Sequence, residues 1–299
     1  MRRLIHRFVS VETVAVLIVA WLAGGLALGL ATHSAATATV ALMALGLLVG
    51  GVLLLIRHSL DLAARIGNLG TESQRTLGTV RRIESRLDTE LKQTFRQIEA
   101  TQNLSAIIPA SDVLPATRGW AASPDLLLVL VDQVITQRPR LVVECGSGAS
   151  TLWFALALRR FGIDGRIVAL DHDPVFAGKT RDFLARHGVS DLAEVRDAPL
   201  EEISLADGTY AWYARRAWKD LTEIDLLFVD GPPAATGAKA RYPALPLLRE
   251  TLNPAATVVL DDLVVPDMQE TLRLWLDEYP GFHSEILPLE KQAALLRKG

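Results

Sequence analysis

Two charge-free apolar stretches open the chain, Thr13–Thr32 and Ala36–Ile56. Each is about 20 residues long, enough to cross a ~30 Å hydrocarbon layer as a helix. The first also has a signal-peptide reading, with the small residues after His33 as the cleavage region. Its apolar run exceeds the roughly 7–15 residues of a signal core, however, and a second span follows at once. The pattern therefore predicts a two-helix transmembrane hairpin over residues 1–58. Gly25 and Gly29, and again Gly46 and Gly50, have the four-residue spacing that permits close helix contact, although glycine is common in membrane helices for other reasons too.

Periodicity changes after the second span. From residue 59 to about 104 there is no proline, and Val80, Ile83, Leu87, Leu91, Phe95 and Ile98 recur at three- and four-residue steps between charges of both signs. This is the stripe of an amphipathic helix that needs a partner. Glu90 and Thr94 interrupt a strict heptad, so the partner is either a second copy, joined through residues 59–101, or the chain's own domain. Residues 105–119 carry two prolines and read as a linker to a domain over 120–299.

Within that domain, short β-rich runs alternate with amphipathic segments. Strands are predicted at 141–145, 166–171, 193–197, 225–230 and 257–262, with helices near 125–137, 150–161, 174–187, 240–252 and 267–279. Such alternation predicts a parallel sheet covered on both faces. Two strand-like pieces with a turn near Glu290 close the chain. The aromatic and arginine-rich run Tyr210–Trp218 reads as an amphipathic helix or a lid.

Composition narrows the function. Net charge is −3, so no global basic field points to nucleic acid. The single cysteine, Cys145, excludes an intrachain disulfide framework and a multi-cysteine zinc site. Arg2, Arg3 and Arg7 precede the first span, Arg57 and Arg65 follow the second, and the loop between the spans has neither Lys nor Arg. The positive-inside rule then predicts a two-pass plasma or inner-membrane protein, with its N-terminus and catalytic domain in the cytoplasm.

Function in an open α/β sheet is expected at the carboxyl ends of the strands. The first such end reads Glu144-Cys145-Gly146-Ser147-Gly148, with Ser150 or Thr151 able to cap the following helix. A pyrophosphate loop carries a third glycine where Thr151 stands, and an acid beside pyrophosphate is repulsive. An acid beside an ammonium is attractive, so this turn favours a ligand with a positive amine. Asp171 ends the second strand, where a carboxylate accepts ribose hydroxyls, and His172 follows it. Asp197 and Ala198 follow the third strand, either against a base or as a helix cap. Asp230 follows the fourth; Asp261 and Asp262 follow the fifth. Three neighbouring carboxylates need a cation, raised pKa values or solvent. Trp120 and Ser123 precede the first domain helix, and line the ligand mouth unless the tryptophan packs the linker onto the domain.

Taken together, residues 117–299 resemble the class I S-adenosylmethionine-dependent methyltransferases. The resemblance implies an α/β Rossmann-like methyltransferase fold, a mostly parallel seven-stranded sheet ending in an antiparallel hairpin. Glu144, Gly146, Ser147, Gly148, Thr151, Asp171, His172, Asp197, Ala198 and Asp230 then become cofactor contacts. Within the class, "FVDG" followed by "LDDL" is most similar to the catechol- and caffeoyl-CoA-type O-methyltransferases, which implies cation ligands at Asp230, Asp261 and Asp262 for Mg²⁺ or Ca²⁺. Asp230 and Asp261 are the implied catalytic pair, as base or cation ligand. Asp262 stands where that branch has asparagine, and Pro233 where it has a catalytic lysine, with Lys239 farther along. The sequence leaves the acceptor open among a small molecule, a lipid-linked precursor, a glycan and a protein. Two rival readings are a NAD-linked oxidoreductase and a non-catalytic membrane scaffold.

Overall fold

The computed structural model describes residues 11–32, 35–110, 112–206 and 208–299. It falls into two compact units, the first ending at Leu87 and the second spanning Asp88–Gly299.

In the first unit, helix α1 (Val11–Thr32) touches the early part of helix α2 (Ala35–Ile107). A Cβ on Gly25 would strike Leu42, and one on Gly46 would fall 2.8 Å from the Trp21 ring. Both glycines thus admit a large side chain from the other helix, whereas Gly50 meets nothing within 4 Å. Among the described residues one helix is long and apolar enough to cross a membrane, the stretch beginning at Thr39 within α2. Arg2, Arg3, Arg7, His33 and Ser34 lie outside the described residues.

Within the second unit, Gln97, Ala100, Leu104 and Ile108 are buried, and the last two belong to the domain's core. Their three- and four-residue spacing is one helical face. Leu91, Phe95 and Ile98 lie on another face and are exposed, as are Val80, Ile83 and Leu87 in the first unit. The predicted linker is fastened down. Asp112 pairs with Arg186 at 3.1 Å, and Arg118 makes a bidentate pair with Glu290.

The domain is built on a seven-stranded sheet in the order β3-β2-β1-β6-β7-β9-β8. Its strands are β1 (Leu141–Cys145), β2 (Arg166–Asp171), β3 (Ala193–Asp197), β6 (Ile224–Val229), β7 (Leu252–Leu260), β8 (Phe282–Leu287) and β9 (Ala293–Lys298). All neighbours are parallel except at β9, which runs antiparallel to both β7 and β8. The strands read as nearly unbroken apolar runs because both faces are covered. Alternation within each strand sorts those residues by face. Val143, Cys145, Val168, Leu170, Leu227 and Val229 go to one core. Val142, Ile167, Ala169, Leu226 and Phe228 go to the other, beneath helices α3 (Pro124–Gln137), α4 (Ala149–Phe161) and α5 (Pro174–Arg186). Each large apolar side chain removed from water in these layers contributes about 1.5–3 kcal/mol.

Two expectations are corrected. Tyr210–Trp218 forms neither a lid nor a helix. Strands β4 (Leu200–Leu205) and β5 (Gly208–Tyr213) make an antiparallel hairpin, followed by a single 3-10 turn at Arg215–Ala217. Trp212, Tyr213 and Trp218 are buried from it into the first core. The period here is two, not 3.6, and the Asp-Gly pair at 207–208 is a hairpin signal. The helix expected near 240–252 shrinks to α6 (Ala244–Leu248) and a 3-10 turn, because Pro243 and Pro246 supply no N–H and β7 starts at Leu252. Helix α7 (Pro266–Glu278) follows β7 and buries Trp275, whose indole N–H donates to the Tyr242 carbonyl at 2.8 Å.

Candidate active site

Strand register brings the sequence-predicted acids to one edge of the sheet. Cys145 lies opposite Leu170 and Val229, Asp171 opposite Asp197, and Val229 opposite Leu260. The residues following those positions leave the sheet side by side. Asp230 N–H donates to the Cys145 carbonyl at 3.0 Å, Asp261 N–H to Val229 at 3.2 Å, and Ala198 N–H to Asp171 at 2.7 Å.

The turn after β1 requires its glycine: Gly146 has φ +107° and its N–H donates to the Leu170 carbonyl at 2.9 Å. A side chain at Gly231 would strike the Tyr213 hydroxyl and come within 3.1 Å of the Cys145 carbonyl, so the two turns touch only because that residue is glycine. Glu144 is 1 % exposed, and both its oxygens are already taken. Ser150 Oγ donates to one and Thr151 Oγ1 to the other, while Thr151 Oγ1 also accepts from Gly148 N–H at 3.0 Å. Burial pushes the Glu144 carboxyl up to about 7. Glu144 is therefore placed to brace the turn, and an ammonium reaching it would have to displace those hydroxyls.

Asp171 is also buried, held by Ser147 Oγ at 2.5 Å and by Asp173 N–H at 3.0 Å. Ser147 Oγ lies 3.0 Å from Thr180 Oγ1 as well, an alternative partner if it turns from the carboxylate. His172 Nδ1 sits 3.9 Å from Asp171. Asp197 stands at the end of β3. Its carboxylate is exposed and bound at 2.7 Å by Arg181 on α5, so its backbone neighbour Ala198, not its side chain, is what adjoins Asp171. Trp120 is 87 % exposed and packs no linker, whereas Ser123 is buried and donates to Asp125 at the start of α3.

On the β6–β7 side, Asp230, Asp261 and Asp262 converge, with one oxygen from each within 4.8 Å of the others. Their centre is already occupied by the chain itself. Arg241, 6 % exposed, places Nη2 3.1 Å from Asp230 Oδ1 and 2.8 Å from Asp262 Oδ2, and its Nη1 donates to the Asp261 carbonyl at 3.1 Å. Lys291 Nζ lies 3.4 Å from Asp262 Oδ1. The carboxylates alone suit a hard cation. Arg241 competes with such an ion, because it already holds one oxygen of Asp230 and one of Asp262, while Asp261 Oδ2 keeps no hydrogen-bond partner. Burial pushes the Asp230 carboxyl up, against the pull of Arg241; burial and the Asp230 charge push Asp261 up further. Lys239 lies over the Tyr210 and Tyr242 rings, at 5.6 and 5.5 Å from their centroids.

The sequence reading did not single out Arg241, Lys291, Tyr213 or Thr180. Nothing in the sequence distinguishes Arg241 from Arg249, which also lies between the fourth and fifth strands. The two-residue alternation of β5 marks Tyr210 and Trp212 as inward-facing but not Tyr213, which is buried from the opposite face. Among the described residues, Tyr213 Oη, Arg241 Nε and Asp261 Oδ2 are buried polar atoms without a hydrogen-bond partner, and all three lie at this edge. A polar ligand resting there supplies what they lack.

Residues 143–263 match the model of a methyltransferase-domain family. Over 167 residues the chain is 30 % identical to a catechol O-methyltransferase of Mycobacterium tuberculosis, covering 54 % of this chain and 64 % of that protein. The chain thus spans somewhat under two thirds of that relative's length. Similar solved structures include a methyltransferase from Geobacter sulfurreducens, 20 % identical with a TM-score of 0.44 over 73 % of this chain and 95 % of that one. An O-methyltransferase from Bacillus cereus is 19 % identical with a TM-score of 0.45, over 68 % and 90 % of the two chains. The family match makes residues 143–263 a methyltransferase domain, with an acid and a glycine turn after β1 and β9 inserted antiparallel between β7 and β8.

Proposed function

We propose that the chain transfers a methyl group from S-adenosylmethionine to an acceptor oxygen at a membrane. The observation that carries this is the convergence of Glu144, Asp171, Asp230 and Asp261 on one sheet edge around the Gly146 turn. S-adenosylmethionine, when bound, supplies a methyl carbon made electrophilic by the sulfonium charge. Asp171 would take the ribose hydroxyls, with Ser147 turning towards Thr180 to release an oxygen. Gly146, Ser147 and Gly148 let the backbone approach the ligand, braced by Glu144 through Ser150 and Thr151. Asp197, Ala198 and His172 would border the adenine. Asp230 or Asp261 would take the proton of the attacking oxygen, which the acceptor loses as its bond to carbon forms and the carbon–sulfur bond breaks. Holding both reactants in line supplies much of the acceleration.

Direction toward oxygen draws support from the name of the M. tuberculosis relative and from the order of the acids after β6 and β7. Two spans, at 13–32 and 36–56, would anchor the chain with its N-terminus and domain on the cytoplasmic side, on the arginine distribution. The exposed stripe from Val80 to Ile98 is the surface through which copies would associate. The anchor favours a lipid-linked, glycan or small-molecule acceptor presented at the bilayer.

Calorimetric titration of the detergent-solubilised chain with S-adenosylmethionine and with NAD separates the readings. Binding of the methyl donor alone, weakened in Asp171→Ala, is expected. NAD binding in its place supports an oxidoreductase, and binding of neither supports a scaffold.

A further inference from the structure

We infer that Arg241 is the resident cation of the acid cluster, standing where a divalent ion would otherwise sit, so that this methyltransferase needs no Mg²⁺ or Ca²⁺ at that site. Three carboxylates this close repel unless counter-charge lies among them. Arg241 supplies it from inside, bridging Asp230 and Asp262 with one nitrogen and holding the Asp261 carbonyl with another. One guanidinium therefore ties the turn after β6 to the turn after β7. Lys291, arriving from the loop between β8 and β9, adds a second positive charge beside Asp262.

Arg241 is not a surface arginine that can swing away. The Tyr242 carbonyl accepts from the Trp275 indole at 2.8 Å, and the Tyr242 hydroxyl is 2.8 Å from each Glu278 oxygen. Two residues earlier, Lys239 N–H donates to Asp267 at 2.8 Å. Both flanks are thus pinned to α7, and the buried side chain meets Asp230 and Asp262 through Nη2. A divalent ion would need several oxygens at about 2.0–2.6 Å. It could gather them here only by displacing a buried cation and then sitting beside it. The guanidinium offers hydrogen-bond donors in fixed directions and no exchangeable coordination position. Resting on the proposed methyl transfer, the consequence is that the acceptor oxygen is held by hydrogen bonds rather than by chelation.

Mn²⁺, followed by electron paramagnetic resonance and by titration calorimetry on the full chain in detergent, is the probe. The wild-type chain should show no stoichiometric Mn²⁺ site, and EDTA should leave its thermal midpoint unchanged. Arg241→Ala should open the carboxylates and bind Mn²⁺ about tenfold or more tightly than wild type, with the gain abolished by adding Asp262→Asn. Arg241→Lys, which keeps a charge but cannot bridge two acids, is the folding-safe variant and should show a smaller gain. One Mn²⁺ bound per wild-type chain and lost in Asp262→Asn overturns the inference. So does a folded Arg241→Lys or Arg241→Ala chain with no gain. Titration with S-adenosylmethionine is read separately: failure there removes the methyltransferase reading and leaves the cation result standing.

Discussion

The two halves of the sheet edge solve the problem of buried acids in opposite ways. Beside β1 and β2, Glu144 and Asp171 are satisfied by neutral donors, the hydroxyls of Ser147, Ser150 and Thr151 and the amide of Asp173. Beside β6 and β7, Asp230 and Asp262 are held by charged ones, Arg241 and Lys291. Hydroxyls rotate at small cost and yield to an incoming ligand. A buried guanidinium bridging two acids resists displacement, because removing it strands uncompensated charge. The first half is held by donors that can rotate, and the second by a fixed guanidinium.

The largest effect should come from breaking the second half. Arg241→Ala is expected to cost ~3–5 kcal/mol, from leaving half-buried Asp230 and Asp262, and buried Asp261 beside them, without the guanidinium, and to lower the thermal midpoint by about 10 °C. A midpoint within a degree or two of wild type would mean the acids had been solvated all along. On the first half, Asp171→Ala should leave folding nearly intact and weaken methyl-donor binding by about 1.5–3 kcal/mol, the worth of hydrogen bonds to a charged group. Equal affinity in calorimetry would make the two halves alike in being structural only.

Glu144→Gln sharpens the contrast through pH. The carboxyl titrates near 4.5 ordinarily and near 7 in the fold. Between those values the folded state holds the proton that the unfolded state releases, so stability falls as pH rises through the window. Glutamine removes that fall. Its stability relative to wild type should rise by at most about 1.4 kcal/mol per pH unit from pH 4.5 to 7, then level off. A flat difference between melts at pH 5 and pH 8 would contradict the raised carboxyl. The smallest effect belongs to Asp197→Asn. Its exposed pair with Arg181 is worth under about 1 kcal/mol, and a larger loss of stability would show that this acid belongs with the buried ones.

Much of this was legible in the sequence, and the reason is local. The parallel strands advertise themselves as apolar runs because both of their faces are buried. Their ends are marked by acids and glycines because Gly146 needs a positive φ and Gly231 admits the next turn. Those features depend on short stretches of chain, so β1, β2 and β3 were placed to the residue. The hairpin at β4–β5 was missed because its adjacent aromatics, Trp212 and Tyr213, are both buried while arginines follow at once, which imitates a helical period.

By itself, then, the sequence determined the α/β alternation, the apolar N-terminal segments and the set of acids at the strand ends. Tertiary structure alone decided what those acids are doing. Glu144 braces a turn because Ser150 and Thr151 rise on the next helix to meet it; Asp197 turns outward because Arg181 is there. Arg241 enters the carboxylate cluster from between two elements, with Trp275 and Glu278, more than thirty residues away, holding its neighbour. Charge compensation depends on distance in space, and no periodicity along the chain encodes which arginine arrives.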